Sequence, residues 1–286
     1  MKYLIIGTGS YLGRSFFEYL KSKKIDVYGV TKYSKKKDLI ISDYSADHIS
    51  QIIKNVKPDC IFDFKTYLVS SNEVYFNESF NKMVESSLNL INAYNIAELK
   101  DTSINLISTS LLNSKTTFNH PYLKIKLFQE KIYKTIKYNK VSIFRIPNVI
   151  GKEDINFTRL IPYCFGSYIS NREIKLNSKP TSLREYILKD KLLDMLYNST
   201  EVSKNNFVLS NFEVINLINT SLNYFEKPSL EIYWGNNSID NILDKNNLKK
   251  ENLNLKNLKM DFNKITQWYI ENSKFVKYQF DKFCNL

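Results

Sequence analysis

The sequence predicts an α/β chain, a doubly wound parallel sheet followed by a smaller C-terminal lobe, and three observations predict it. Three of the seven glycines fall at Gly7, Gly9 and Gly13, inside the opening stretch MKYLIIGTGSYLGRSFFEYL. Short apolar runs then alternate with segments of helical period, the rhythm of strands joined by crossover helices. Beyond Gly151 this gives way to shorter segments, more aromatic and richer in asparagine.

Lys2 to Ile6 ends in an apolar run suited to a buried parallel strand, and Leu12, Phe16, Phe17 and Leu20 follow at helical spacing. The glycines therefore occupy a strand-to-helix turn, with Ser10, Tyr11 and Leu12 between them. Glycine lets a backbone approach a ligand with no Cβ in the way, and a helix N-terminus offers unpaired N–H groups to an anion. A diphosphate suits such a turn. Placed after the first strand of a domain, it is where a Rossmann sheet holds a dinucleotide. Gly7, Ser10 and Gly13 fall on Gly-x-x-Gly-x-x-Gly with serine in the middle, while Gly9 supplies the Gly-x-Gly version.

Asp26 to Val30, Leu39 to Ser42 and Cys60 to Phe64 read as the second, third and fourth strands. Ile49, Ile52, Ile53 and Val56 fit one helical face, Leu88, Ile91 and Ala97 lie in another helix, and Ile104 to Ser108 returns to strand. Proline suits a helix start, so a long helix over Tyr122 to Tyr138 is expected after His120-Pro121, followed by a sixth strand, Val141 to Ile146. Phe207 to Leu209 reads as a strand, Val214 to Phe225 as a helix, and Asn236 to Asn257 as loop with short helical turns. The expected division is a dinucleotide domain over 1–150, with parts of 185–212 returning to it, and a second lobe over 151–286.

At 286 residues the chain can bury a full core. Its net charge of +12 comes from lysines scattered among asparagines and isoleucines, and the run Lys35 to Lys37 is short, so no nucleic-acid partner is expected. Cys60, Cys164 and Cys284 are odd in number and far apart, which argues against a disulfide framework and for the cytoplasm. The first apolar run, Tyr3 to Ile6, is too short for a signal-peptide core, and no later segment approaches a membrane span. With only His48 and His120 and no paired cysteines, no metal site is expected.

Tyr122 and Lys126 stand four apart near the start of the long helix, so both project from one face. A free tyrosine titrates at about 10 and moves protons poorly at neutrality, but a nearby ammonium favours the phenolate. Ser110, just past the fifth strand, is placed to hydrogen-bond a carbonyl beside that tyrosine.

The order of these parts carries a resemblance. GTGSYLG after the first strand, NLISTS after the fifth, HPYLKIK opening the next helix, then FRIPNVIG and LREYILKD together resemble the extended short-chain dehydrogenase/reductase family over roughly the first two-thirds of the chain. The resemblance implies that Tyr122 is the general acid/base, that Lys126 binds the nicotinamide ribose and lowers the tyrosine's pKa, and that Ser110 polarises the reacting oxygen, with Thr109 in reserve. It implies that Asn148 lies by the substrate, that Arg184 binds a substrate diphosphate, and that Asp43 sits near the adenine, a position where the residue could equally cap a helix. NAD sites usually carry an acidic residue at the end of the second strand, whereas VTKYSKKK has no carboxylate between Thr31 and Lys37 and places Lys32 nearest, so NADP(H) is the expected cofactor. Two departures stand out. Phe64-Lys65-Thr66-Tyr67 replaces an alanine-rich run, and the interval from Ser110 to Tyr122 is short, as in the deoxysugar reductases of the family. The expected activity is NADPH-dependent reduction of a nucleotide-activated keto-sugar, at C4, in surface polysaccharide synthesis. The alternatives are a nucleotide-sugar epimerase or dehydratase and a catalytically silent NADP-binding regulator. The expected partners are a nucleotide-diphosphate sugar and a second copy of the chain.

Overall fold

The computed structural model describes residues 1–33, 38–66, 73–98, 101–113, 121–136, 141–199, 206–237 and 254–285, with backbone only at 73–76. The chain divides into two units, Met1–Ile146 with Leu193–Val202, and Pro147–Leu192 with Ser203–Leu286, against the expected 1–150 and 151–286.

The first unit is built on six parallel strands: β1 (Lys2–Ile6), β2 (Asp26–Thr31), β3 (Leu39–Ile41), β4 (Cys60–Asp63), β5 (Ser103–Thr109) and β6 (Val141–Ile146). Their spatial order is β3-β2-β1-β4-β5-β6, the doubly wound arrangement of a Rossmann sheet. The connecting helices are α1 (Tyr11–Ser22), α2 (Ala46–Val56), α3 (Glu73–Ile96) and α4 (Pro121–Tyr133).

Strand alternation sorts the two faces. Phe62 of β4 and Phe64 just after it pack on Phe16 of α1, with ring centroids 4.8 and 5.7 Å away. Ile61 joins the opposite core with Ile49, Ile53, Leu90 and Ile132 from α2, α3 and α4. Asp63 points to that second side, where it meets Tyr133 of α4. On β5 and β6, Ser108 and Arg145 are register partners and both reach Glu130 of α4.

The second unit begins with β7 (Asn148–Ile150), α5 (Leu160–Ile169), β8 (Ile174–Ser178) and β9 (Leu183–Leu188). α6 (Lys189–Asn198) carries the chain into Leu193–Val202 of the first unit. The second unit resumes with β10 (Phe207–Ser210), α7 (Asn211–Tyr224), β11 (Ile232–Asn237), α8 (Leu255–Glu271) and α9 (Ser273–Cys284). β10-β9-β7 form one small sheet, with β9 antiparallel to β10 and parallel to β7, and β11 pairs with β8. Its core is aromatic: Phe165 stacks on Tyr269 at 4.2 Å, and Phe157 meets Phe280 edge-on at 5.0 Å.

Several boundaries differ from the sequence reading. α4 ends at Tyr133, with Lys134 and Thr135 in a turn, and Tyr138 lies outside the described residues. α7 starts at Asn211 rather than Val214, because Ser210 and Glu213 form a capping box that satisfies the helix's first N–H groups. Asn236 and Asn237 close β11, and residues 255–257 open α8; the loop expected between them falls on 238–253, outside the described residues. The sequence reading did not assign β7, β8, α8 and α9 as elements, although Leu258, Phe262, Ile265 and Tyr269 are spaced for one buried face of α8.

Candidate active site

The glycine turn lies between β1 and α1, where the first strand delivers the chain to a helix N-terminus. Gly7 adopts φ +90°, and a Cβ there would stand 2.8 Å from Lys65 N and 2.9 Å from Phe64 C, the backbone that follows β4. A Cβ on Gly13 would stand 2.4 Å from Gly7 O, and one on Gly9 3.0 Å from Thr31 Oγ1. Only glycine lets the turn, α1 and the end of β4 approach this closely. Ser10 is the N-cap of α1: its Oγ donates to Gly7 O at 2.8 Å and accepts from Gly13 N at 3.2 Å. Tyr11 and Leu12 form the first helical residues, Tyr11 half-buried and Leu12 buried. This cradle at a helix N-terminus fits a dinucleotide diphosphate.

Lys32 is exposed just beyond β2, its Nζ 5.7 Å from the Tyr33 ring centroid. Lys35 to Lys37 lie outside the described residues. Asp43 is exposed, and its Oδ1 accepts from Ser45 N at 2.9 Å and Ser45 Oγ at 2.8 Å, with His48 Nδ1 at 3.5 Å. These donors, the Ser45 N–H first and its hydroxyl second, hold the Asp43 carboxyl below its usual range. Ser45 caps α2 by accepting from His48 N, so Asp43 braces a helix start.

Ser110 is the first residue beyond β5 and opens a 3-10 turn, Ser110–Asn113, in which it is buried. Thr109 ends β5, its Oγ1 accepting from Leu111 N at 3.4 Å. Tyr122, half-buried, and Lys126, buried, stand in the first turns of α4. Lys126 Nζ donates to Ile107 O at 3.0 Å and to Gln129 Oε1 at 3.1 Å, which ties the helix to the strand end carrying Ser110. Burial pushes the Lys126 ammonium down, Asp63 and then Glu130 oppose it, and the balance leaves it at about 8. The structure thus brings the Ser110 strand end and the Tyr122/Lys126 helix together in one unit, while Asn148 and Arg184 belong to the other.

In that second unit, Asn148 is the register partner of Tyr186 across β7 and β9, and Arg184 lies two residues earlier on β9, so both project from the same sheet face. Asn148 Nδ2 donates to Glu185 O at 3.1 Å, and Arg184 Nε donates to Asn211 Oδ1 at 3.0 Å.

Sequence reasoning missed the charged residues beneath this site. Glu130 accepts Ser108 Oγ at 2.6 Å and takes Arg145 as a fork, Nε at 2.9 Å and Nη2 at 2.7 Å, while Arg145 Nη1 donates to Asn113 in the Ser110 turn. Asp63 and Lys65 are buried nearby. Their signal was present in the strand phase: Asp63 in CIFDF and Arg145 in VSIFRI are charges on the inward side of apolar strands.

Residues 3–201 match the NAD dependent epimerase/dehydratase family, and the chain belongs to it. Its fold is that of the family's solved structures. It aligns with dTDP-glucose 4,6-dehydratase from Bacillus anthracis in complex with NAD at TM-score 0.75 and 15% identity, covering 98% of this chain and 99% of that one. It aligns with the Thermotoga maritima UDP-glucose 4-epimerase, solved with UDP-glucose, at TM-score 0.72 and 12% identity, covering 95% and 99%. The Bordetella bronchiseptica enzyme WbmH, solved with NAD+, aligns at 0.70 and 13%, covering 95% and 99%. No curated protein matches the chain in sequence at a significant level. Among the described residues, no helix is long and apolar enough to cross a membrane.

Proposed function

We propose that the protein is an NADPH-dependent reductase of a nucleotide-activated keto-sugar, with the first unit holding the dinucleotide and the second the sugar nucleotide. The observation that carries this reading is the pairing of the glycine cradle with the Lys126 ammonium, which is tethered to the Ser110 strand end and one helical turn from Tyr122. The bound nicotinamide supplies the hydride. Tyr122 gives its phenolic proton to the reacting oxygen, Ser110 donates a hydrogen bond to that oxygen, and Lys126 favours the phenolate left behind. The α1 N-terminus takes the cofactor diphosphate, and Arg184, with Asn148 on the same face, takes the substrate's, as a guanidinium fork suits phosphate oxygens. Lys32 supports the choice of NADP(H): it is exposed at the end of β2, where an NAD site carries a carboxylate, while Asp43 is engaged by Ser45 and His48.

The second reading is an epimerase or dehydratase that retains NAD, favoured by the NAD in the complexes of the similar structures. Titration with NADPH and NADH, followed by incubation with a panel of nucleotide 4-keto-sugars, separates the two. The reductase binds NADPH more tightly and oxidises one NADPH per sugar converted. A preference for NADH, with isomerised or dehydrated sugar and unchanged absorbance of the reduced cofactor, overturns it.

A further inference from the structure

Asn211 is the first residue of α7, directly behind its cap. Ser210 and Glu213 satisfy the helix start between them, so the Asn211 side chain has no capping work to do. It is wholly buried. An amide taken out of water must find partners for its oxygen and its hydrogens, or its burial costs stability. Asn211 finds them far away in the sequence. Its Nδ2 donates to Ser178 Oγ and to Lys179 O, both at 2.9 Å, and its Oδ1 accepts Arg184 Nε at 3.0 Å. The backbone repeats the connection, Asn211 N donating to Ser182 O at 3.0 Å and Phe212 N to Pro180 O at 2.9 Å. The start of α7 is thereby fastened to the turn between β8 and β9, and Arg184 is the second residue of β9.

Arg184 is half-buried, and Nε is the one nitrogen of its guanidinium that the described residues engage. Among those residues, Nη1 and Nη2 make no hydrogen bond and the guanidinium forms no ion pair. The adjacent carboxylate, Glu185, projects from the other face of the strand and accepts Asn206 Nδ2 at 2.8 Å. An arginine that samples many rotamers loses that freedom when it grips an anion, and one already anchored loses less. A neutral amide anchors the group without cancelling its charge. A carboxylate at position 211 would hold Nε as well, and would neutralise the fork that a phosphate needs.

We propose that Asn211 is a positioning residue: it holds the Arg184 guanidinium by Nε, so that Nη1 and Nη2 stand ready, with their charge intact, for the diphosphate of a nucleotide substrate. The proposal rests on the reading of Arg184 given above and adds to it the side chain that prepares that arginine.

The test uses the full chain, saturated with whichever of NADPH and NADH binds more tightly so that the glycine turn is filled, and calorimetric affinities for UDP, CDP and dTDP. Arg184→Ala is expected to lose about 10- to 100-fold against the tightest of the three, the worth of hydrogen bonds to a charged group. Asn211→Ala leaves the guanidinium present but unanchored, and is expected to lose about three- to tenfold, the cost of ordering one long side chain on binding. In the Arg184→Ala background the same change should add less than about twofold, because a residue that acts through another is not additive with it. Ser178→Ala removes one Nδ2 partner, leaves Lys179 O and the Arg184 contact, and should stay within about twofold of wild type. Wild-type affinity in a folded Asn211→Ala, the same loss with or without Arg184, or an equal loss in Ser178→Ala overturns the proposal. If Asn211→Ala does not fold, NMR relaxation of the Arg184 Nε–H bond in the wild-type protein decides. That bond is expected to be restrained, near the rigid order parameter of about 0.85, and a value below about 0.6 overturns the proposal. Unchanged affinity in Arg184→Ala overturns instead the reading that this arginine grips the diphosphate, and the relaxation of its Nε–H still reports whether Asn211 holds it.

Discussion

At the scale of the residue, the reading turns on a phenol and an ammonium four positions apart. Tyr122→Phe removes one oxygen from a half-buried ring and leaves Lys126, Ser110 and the glycine turn as they are. Turnover is expected to fall about 10²- to 10⁴-fold, the usual worth of general acid/base help. NADPH affinity by calorimetry should stay within a factor of about two, far below the tenfold that 1.4 kcal/mol represents. A parallel loss of both would show that the tyrosine serves the fold or the cofactor rather than a proton. Tyr122, Lys126 and Ser110 were legible in the sequence because their spacing has a chemical meaning along one chain segment. Asp63, Lys65 and Arg145 were not, because β4 and β6 lie far apart in the sequence and these roles exist only once the strands are laid side by side. Asp43 shows the opposite limit, where one residue type suits two jobs and only its contacts with Ser45 and His48 reveal that it braces a helix start.

At the scale of the element, the glycine turn and α4 are the two parts that position everything else. Gly13→Ala places a methyl 2.4 Å from Gly7 O and 2.9 Å from Ser10 Oγ, so α1 must move away from the turn that its own cap secures. NADPH affinity is expected to fall at least tenfold, about 1.4 kcal/mol, with the far-ultraviolet dichroism unchanged. Arg145→Met strands Glu130 in the interior, and loss of one partner of a buried pair costs about 3 kcal/mol at neutral pH, read from denaturant midpoints. The pH dependence has a definite sign. Burial pushes the Glu130 carboxyl up, but the Arg145 and Ser108 hydrogen bonds and the Arg145 charge bring it below its ordinary 4.5, so its contribution is complete above 4.5 and is lost as pH falls through the folded value. In Arg145→Met burial is opposed only by the Ser108 hydrogen bond and the Lys134 charge, so the folded state takes up the proton at higher pH than wild type and the deficit should shrink on acidification. A deficit independent of pH would assign the loss to packing. Elements of the first unit were legible because parallel strands buried on both faces read as unbroken apolar runs. In the second unit β10 was read as Phe207 to Leu209, whereas β11 reads IYWGNN and is half-exposed, with no unbroken apolar run to separate it from loop.

At the scale of the whole molecule, the doubly wound order follows from the alternation of strand and helix, and Leu193–Val202, inside the 185–212 stretch that the sequence reading assigned in part to the dinucleotide domain, groups with the first unit. There, Tyr197 approaches the rings of Tyr3 and Tyr19 at 6.4 and 6.2 Å, and Asp194 accepts the Tyr19 hydroxyl. A fragment cut at residue 150 lacks that cover. It is expected to bind a hydrophobic dye, and in the full chain Tyr197→Ala should bind more of the dye than wild type; a variant that binds no more would deny the segment its role. The same arrangement governs the order of manufacture. A ribosome delivers the six strands of the sheet long before it delivers Tyr197, so the nascent N-terminal body must wait, its aromatic surface uncovered, while the chain that begins the second unit is still emerging.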